Sequence, residues 1–208
     1  MLTDVVTPEV ESQRKCNYQI APLLLDRWSP RSMTGEPLTD EEFFPLFEAA
    51  RWAPSSFNGQ LWRFIVARRQ NREEFDKFFA LLTPGNQGWA KNAAALVVVI
   101  SRTRFEYHDK PSVTHAFDAG AAWANLALEA TRRELVAHGM EGFDYVRAKT
   151  ELLIPDDFEV HAMIAIGRRA PAENLPEKYR EMELPNSRRP LKEIVFEGTF
   201  GRPVPGLR

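Results

Sequence analysis

A single cysteine, Cys16, stands among 208 residues, so no internal disulfide framework is available and a reducing, cytoplasmic setting is expected. Metal-ligand spacing is missing too. His108, His115, His138 and His161 form no paired ligand pattern, and one thiol cannot build a zinc cluster, so no metal site is expected. Neither Gly-x-Ser-x-Gly, Gly-x-Gly-x-x-Gly nor a Walker loop occurs, which removes the elbow hydrolases and the usual nucleotide-binding turns. The 27 Lys and Arg residues are scattered among 29 Asp and Glu for a net charge of -2, arguing against nucleic acid as a partner. Leu96 to Ile100 is the longest strongly apolar run and falls far short of the roughly 20 residues a membrane span needs. Met1 to Glu11 is acidic and polar, unlike a secretory signal. The length suits a single domain over 1–208, with an N-terminal arm at 1–20 and an extended C-terminal tail at 168–208.

What is present reads as alternating helices and strands. Thr39-x-x-Glu42 is a capping box, followed by Phe43, Leu46, Phe47 and Ala50 at helical spacing until Pro54, with Pro45 inside. Trp62 to Ala67 reads as a strand. Asn71 caps a second amphipathic helix carrying Phe75, Phe78, Phe79 and Leu82, and Thr83-Pro84-Gly85 reads as a turn. Ala95 to Ile100 has no alternation, the mark of a central strand covered on both faces. The longest helix is expected from Ser112 to about Ala137; apolar on several faces between Ala116 and Ala130, it must be buried. His138 to Asp144 is expected as the glycine-containing loop ending it. A helix over Asp144 to Leu153, a strand over Phe158 to Ile166 and a short strand at Ile194 to Phe196 complete the reading.

Two segments carry chemistry. Ala53-Pro54-Ser55-Ser56-Phe57-Asn58-Gly59-Gln60 places hydroxyls and carboxamides between a helix and a strand. Because Asn and Gln each offer a donor and an acceptor, the set suits the mixed edge of a heteroaromatic ring such as an isoalloxazine; it also reads as a plain polar turn. In Arg27-Trp28-Ser29-Pro30-Arg31, Pro30 favours extended geometry, which sets Arg27, Ser29 and Arg31 on one side. That is either a phosphate site or a solvated basic turn.

Together these segments resemble the flavin-dependent nitroreductase family, with its Arg-x-Ser-x-Arg phosphate motif and its Ala-Ala-x-x-Ala-Pro-Ser-x-x-Asn-x-Gln-Pro-Trp run, here Ala49 to Trp62. Asp118-Ala119-Gly120, Glu141-Gly142-Phe143-Asp144 and Arg188-Arg189-Pro190-Leu191 extend the likeness over about residues 20 to 200. The resemblance implies an α+β fold, a nitroreductase-like α/β sandwich with a mainly antiparallel central sheet flanked by helices. It also implies an intertwined homodimer packed about the long helix, with the C-terminal tail reaching the partner. FMN is the implied cofactor, held by Arg27, Trp28, Ser29, Arg31, Pro54, Ser55, Ser56, Asn58, Gln60, Asn86, Met140, Glu141, Gly142 and Arg188. The phosphate motif would come from one subunit and the Ser55, Ser56 and Asn58 loop from the other, with the 138–144 loop beside the flavin N5.

Three positions depart from the family pattern. Leu61 replaces a proline, Asn186 a lysine beside the phosphate, and Trp89 another lysine near the ribityl chain. The implied reaction takes hydride from NAD(P)H and passes electrons to a nitroaromatic, quinone or related small acceptor. No side-chain nucleophile is needed, since the cofactor carries the chemistry. Phe57, Trp89 and Trp123 read either as acceptor-cavity walls or as core. The rival function is a non-catalytic flavin-binding or flavin-storage protein of the same fold.

Overall fold

The computed structural model describes residues 6–208, so residues 1–5 of the expected N-terminal arm lie outside the described residues. The chain divides into two compact units, one formed by Met1–Trp28 with Leu184–Arg208 and the other by Ser29–Glu183.

The first unit contains two short helices, α1 (Pro8–Glu11) and α2 (Pro22–Asp26), each begun by a proline whose missing N–H costs nothing at that position. They are tied by Asp26, whose Oδ1 accepts from the Thr7 backbone N–H at 2.9 Å and the Thr7 hydroxyl at 3.0 Å. Near the other end a 3-10 turn covers Leu191–Glu193, and the Arg208 N–H donates to the Tyr18 hydroxyl at 3.0 Å.

In the second unit α3 (Asp40–Arg51) starts at the capping box, where the Thr39 N–H donates to Glu42 Oε2 at 2.8 Å. Next come β1 (Trp62–Arg68), α4 (Arg72–Leu81), α5 (Pro84–Ala90), β2 (Ala95–Arg102), α6 (His115–Arg132), β3 (Leu135–Met140), α7 (Tyr145–Glu151), β4 (Phe158–Arg168) and α8 (Glu177–Arg180). The strands form one antiparallel sheet in the order β1-β2-β4-β3. Alternate residues feed two cores. Leu96, Val98 and Ile100 face Phe75, Phe78 and Leu81 of α4, whereas Val97 and Val99 face Phe43 and Leu46 of α3 and Leu126 of α6. Covering both faces explains the unbroken apolar run of β2, and each large side chain so buried contributes about 1.5–3 kcal/mol of transfer free energy.

Several expectations need correction. The long helix does not reach Ala137: it ends at Arg132, Glu134 takes a left-handed φ of 59°, and Leu135–Met140 pairs with β4 as β3. His138 to Met140 are therefore strand and not loop, and the loop begins at Glu141. Nor is α6 covered all round, because Ala116, Phe117, Gly120 and Ala124 form an exposed stripe on it. Thr83-Pro84-Gly85 opens α5 with proline in its first turn. The tail is not extended throughout, since Ala172–Asn174 and Glu177–Arg180 are helical turns. Ile194 to Phe196 is not a strand; Ile194 closes the 3-10 turn.

Candidate functional site

The polar loop predicted to meet a ring is a strained structure. Phe57, Asn58 and Gln60 all hold left-handed φ, at 51°, 53° and 48°, a geometry that costs on the order of 1 kcal/mol or more per non-glycine residue and concentrates at ligand-binding turns. The loop is held in place from α6. Asp118, 3% exposed, accepts from the Ser56 N–H at 3.0 Å, and Ser55 Oγ accepts from the Gln60 N–H at 3.1 Å. Gln60 Nε2 donates to both the main-chain and side-chain oxygens of Asn58, each at 3.1 Å. The pair therefore presents an Asn58 amide donor and a Gln60 carbonyl acceptor side by side on an exposed turn. Pro54 is exposed just before it. Leu61, in place of proline, is buried at 1%, and its carbonyl accepts from the Arg102 N–H at 3.0 Å, pinning the loop's exit to β2.

A second loop, after β3, is anchored through one carbonyl. The Gly142 oxygen accepts from the Thr83 N–H at 3.0 Å, the Thr83 hydroxyl at 3.1 Å and Asn86 Nδ2 at 2.9 Å. A Cβ at 142 would lie 2.7 Å from Asn86 Nδ2 and 2.9 Å from Thr83 Oγ1, so any larger residue here pushes aside the two side chains that hold the carbonyl. Asn86 is oriented in turn by the Trp89 indole N–H, which donates to Oδ1 at 3.2 Å. Trp89 is core at 3% exposure and packs on His138, ring centres 4.4 Å apart. His138 donates from Nδ1 to the Pro30 carbonyl at 2.9 Å, since a carbonyl can only accept. Met140 is buried, while Glu141 is exposed.

The basic motif straddles the two units, with Arg27 and Trp28 in the first and Ser29 and Arg31 in the second. In the second unit Glu183, 2% exposed, clasps its start: the carboxylate accepts from the Arg31 N–H at 2.8 and 3.1 Å and from the Ser32 N–H at 2.9 Å. Arg31 Nη1 donates to the Met182 carbonyl at 3.1 Å. Nothing local in the sequence singled out Glu183, which lies in a polar stretch and acts at a separation of 152 residues.

In the first unit Arg188 and Arg27 are joined by Arg14, which the sequence reading missed. Arg14 Nε donates to the Asn186 carbonyl at 2.8 Å, and its Nη1 donates to the Leu25 carbonyl and, at 2.9 Å, to that of Arg27. Arg188 Nη1 donates to the same Asn186 carbonyl at 3.2 Å and to Ser187 O at 2.9 Å. Burial, then repulsion from Arg188, lowers the Arg27 guanidinium's hold on its proton. Arg14 is lowered by burial, then by Arg188 and Arg27, with Asp26 opposing.

One polar cluster lies outside the predicted residues. Ser101 Oγ lies 2.8 Å from His115 Nδ1 and 2.6 Å from His161 Nε2. His161 is the extra residue of a bulge, where the β2 and β4 register shifts between Val99 and Ile100, and such bulges re-aim side chains. Ser101 is fully buried, while His115 and His161 are partly exposed.

The second unit is thus an antiparallel sheet covered by helices on both faces, with a strained carboxamide turn at its surface. The Nitroreductase family profile matches residues 24–168, and the chain belongs to that family. It is similar to an oxidoreductase whose crystal structure contains FMN, at 45% identity and a TM-score of 0.87 over 91% of this chain and 96% of that one. A nitroreductase from Desulfovibrio desulfuricans solved in complex with FMN gives 28% identity and a TM-score of 0.65, covering 86% of this chain and 95% of the other. A relative from Streptomyces coelicolor that carries the name NADH dehydrogenase/NAD(P)H nitroreductase is 29% identical over 67% of this chain and 80% of its own length. Among the described residues no helix is long and apolar enough to cross a membrane, and no group of three His, Cys, Asp or Glu is placed to hold a metal.

Proposed function

We propose that this chain is an FMN-dependent oxidoreductase that takes hydride from NAD(P)H and passes electrons to a nitroaromatic, quinone or related small acceptor. The observation that carries the reading is the strained 55–60 turn, whose Asn58 donor and Gln60 acceptor match the alternating polar edge of a flavin ring. FMN, when bound, supplies the redox chemistry. The chain's own work is to bind and orient: Asn58 and Gln60, with Pro54, Ser55 and Ser56, address the ring, and Arg27, Trp28, Ser29, Arg31 and Arg188 address the ribityl phosphate. Donors fixed before electron transfer stabilise charge developing on the ring without reorganisation. Met140, Glu141 and Gly142, with Asn86 behind them, shape the approach to the reactive edge, and the anchored Gly142 carbonyl keeps that loop from drifting.

The reading includes a homodimer with shared sites, the phosphate motif from one subunit and the Ser55, Ser56 and Asn58 loop from the other, with the C-terminal tail reaching the partner. Supporting it are the apolar stripe on α6, where Phe117 is 80% exposed, and the tail's lack of a large core. The test is direct. Protein purified without added cofactor is yellow, releases FMN on heating, and bleaches on anaerobic addition of NADH or NADPH. A yellow protein that does not bleach is a flavin carrier and overturns the enzymatic reading; a colourless protein that takes up no FMN overturns the whole.

A further inference from the structure

We propose that Arg14 is a phosphate-binding residue, forming with Arg188 a paired guanidinium site in the first unit that takes a phosphate monoester dianion. The geometry begins at one oxygen. Arg14 Nε and Arg188 Nη1 both donate to the Asn186 carbonyl, at 2.8 and 3.2 Å, so two cations are drawn within about 6 Å of each other by a neutral acceptor. Neither forms an ion pair among the described residues; their bonds run to carbonyls of Leu25, Arg27, Asn186 and Ser187. Asp26, the carboxylate that acts on Arg14, spends Oδ1 on Thr7.

Like charges held together this way oppose each other until an anion arrives. Carbonyls fix the direction of a guanidinium without neutralising it, which leaves its charge for a ligand. The Arg14 Nη2 group donates to nothing among the described residues, and a planar fork of donors suits phosphate oxygens. A phosphate monoester carries close to two negative charges at neutral pH and three acceptor oxygens, matching two guanidiniums in charge and number of donors. Repulsion from Arg188 and Arg27 lowers the Arg14 pKa, after burial, in keeping with a site awaiting negative charge.

The occupant, the ribityl phosphate of FMN, rests on the flavin reading above. The experiment uses full-length apoprotein as wild type, Arg14→Gln and Arg14→Lys, with FMN and riboflavin affinities measured by fluorescence titration. Arg14→Gln is expected to weaken FMN about ten- to a hundredfold and leave riboflavin unchanged, while Arg14→Lys, which keeps the charge but not the fork to three carbonyls, retains most of the FMN affinity. Equal losses in Arg14→Lys and Arg14→Gln mean that Arg14 is only a main-chain clamp and overturn the proposal, as does unchanged FMN affinity in Arg14→Gln. Inorganic phosphate, against chloride at equal ionic strength, provides a probe free of flavin: it raises the melting temperature of wild type and not of Arg14→Gln. If wild type binds no flavin yet shows that shift, the flavin reading fails and the anion site stands. If phosphate stabilises both proteins equally, the site is refuted whatever the flavin result.

Discussion

Asn86 Nδ2 donates to the Gly142 carbonyl at 2.9 Å while the Trp89 indole N–H holds the other end of the same carboxamide at 3.2 Å. Asn86 thus works as a strut between a buried indole and the loop after β3, and its substitution acts through that loop. Asn86→Ala is expected to cost about 1–2 kcal/mol of stability and to slow anaerobic reduction of the flavin by NAD(P)H roughly tenfold, with FMN affinity changed less than about threefold. Gly142→Ala, whose Cβ meets Asn86 and Thr83 side chains, reproduces the slow phenotype. A large fall in FMN affinity with an unchanged reduction rate would instead make Asn86 a direct ligand.

Glu183, which holds the Arg31 and Ser32 amides, offers a second test. Its carboxylate satisfies the buried Ser32 amide and the part-buried Arg31 amide at once, so Glu183→Ala leaves both without this partner and is expected to destabilise the fold by about 2–4 kcal/mol in denaturant titration. Glu183→Gln keeps an acceptor oxygen and loses about half as much. Equal stability of Glu183→Ala and wild type would show that water replaces the carboxylate at no cost.

The stripe on α6 predicts assembly. Phe117 is 80% exposed, Val113 just before the helix is 95% exposed, and a Cβ added at Gly120 meets nothing within 4 Å, so Phe117→Glu disturbs no internal packing. Wild type is expected to sediment as a dimer and Phe117→Glu as a folded monomer with little FMN. A dimeric Phe117→Glu protein would remove α6 from the interface.

Acid sensitivity should trace to His161. Burial lowers its pKa, Glu159 pulls it up, and His115 lowers it further, for a net fall; the Ser101 hydroxyl and the Tyr145 hydroxyl on the His161 carbonyl complete its surroundings. The unfolded chain, with histidine near 6.5, therefore binds the proton first. The contribution is full above about pH 6.5 and is lost as pH falls through the lower folded value. Melting temperatures measured between about pH 7.5 and 5.5 should drop more steeply for wild type than for His161→Gln. Parallel slopes would place the acid sensitivity elsewhere.

Much of the fold could be read locally because the signals are local. The β2 run, the Thr39 and Glu42 cap and the Asn71 cap each declare an element within a few residues, and all appear where expected. β3 stayed hidden because Leu135-Val136-Ala137 continues the apolar composition of α6, and the break is made by Glu134 in a left-handed turn without glycine. The 55–60 turn was legible as a motif, though not as strain. Arg14 was invisible for a different reason. Its partner Asn186 lies 172 positions away, and no pattern within an arm of mixed polarity reveals which distant carbonyl a guanidinium will find.

The burial of β2 also bears on how the chain reaches its fold. Ala95 to Ile100 is uncharged, free of proline and rich in valine, the composition that stacks into fibrils when left uncovered. One neighbour, β1, precedes it in synthesis, but the other, β4, starts only at Phe158. Until that strand emerges, the stickiest segment of the protein has a bare edge, and long-range pairing of this kind is slow. Refolding yield should therefore fall steeply with protein concentration, and expression should improve at low temperature or with added chaperone.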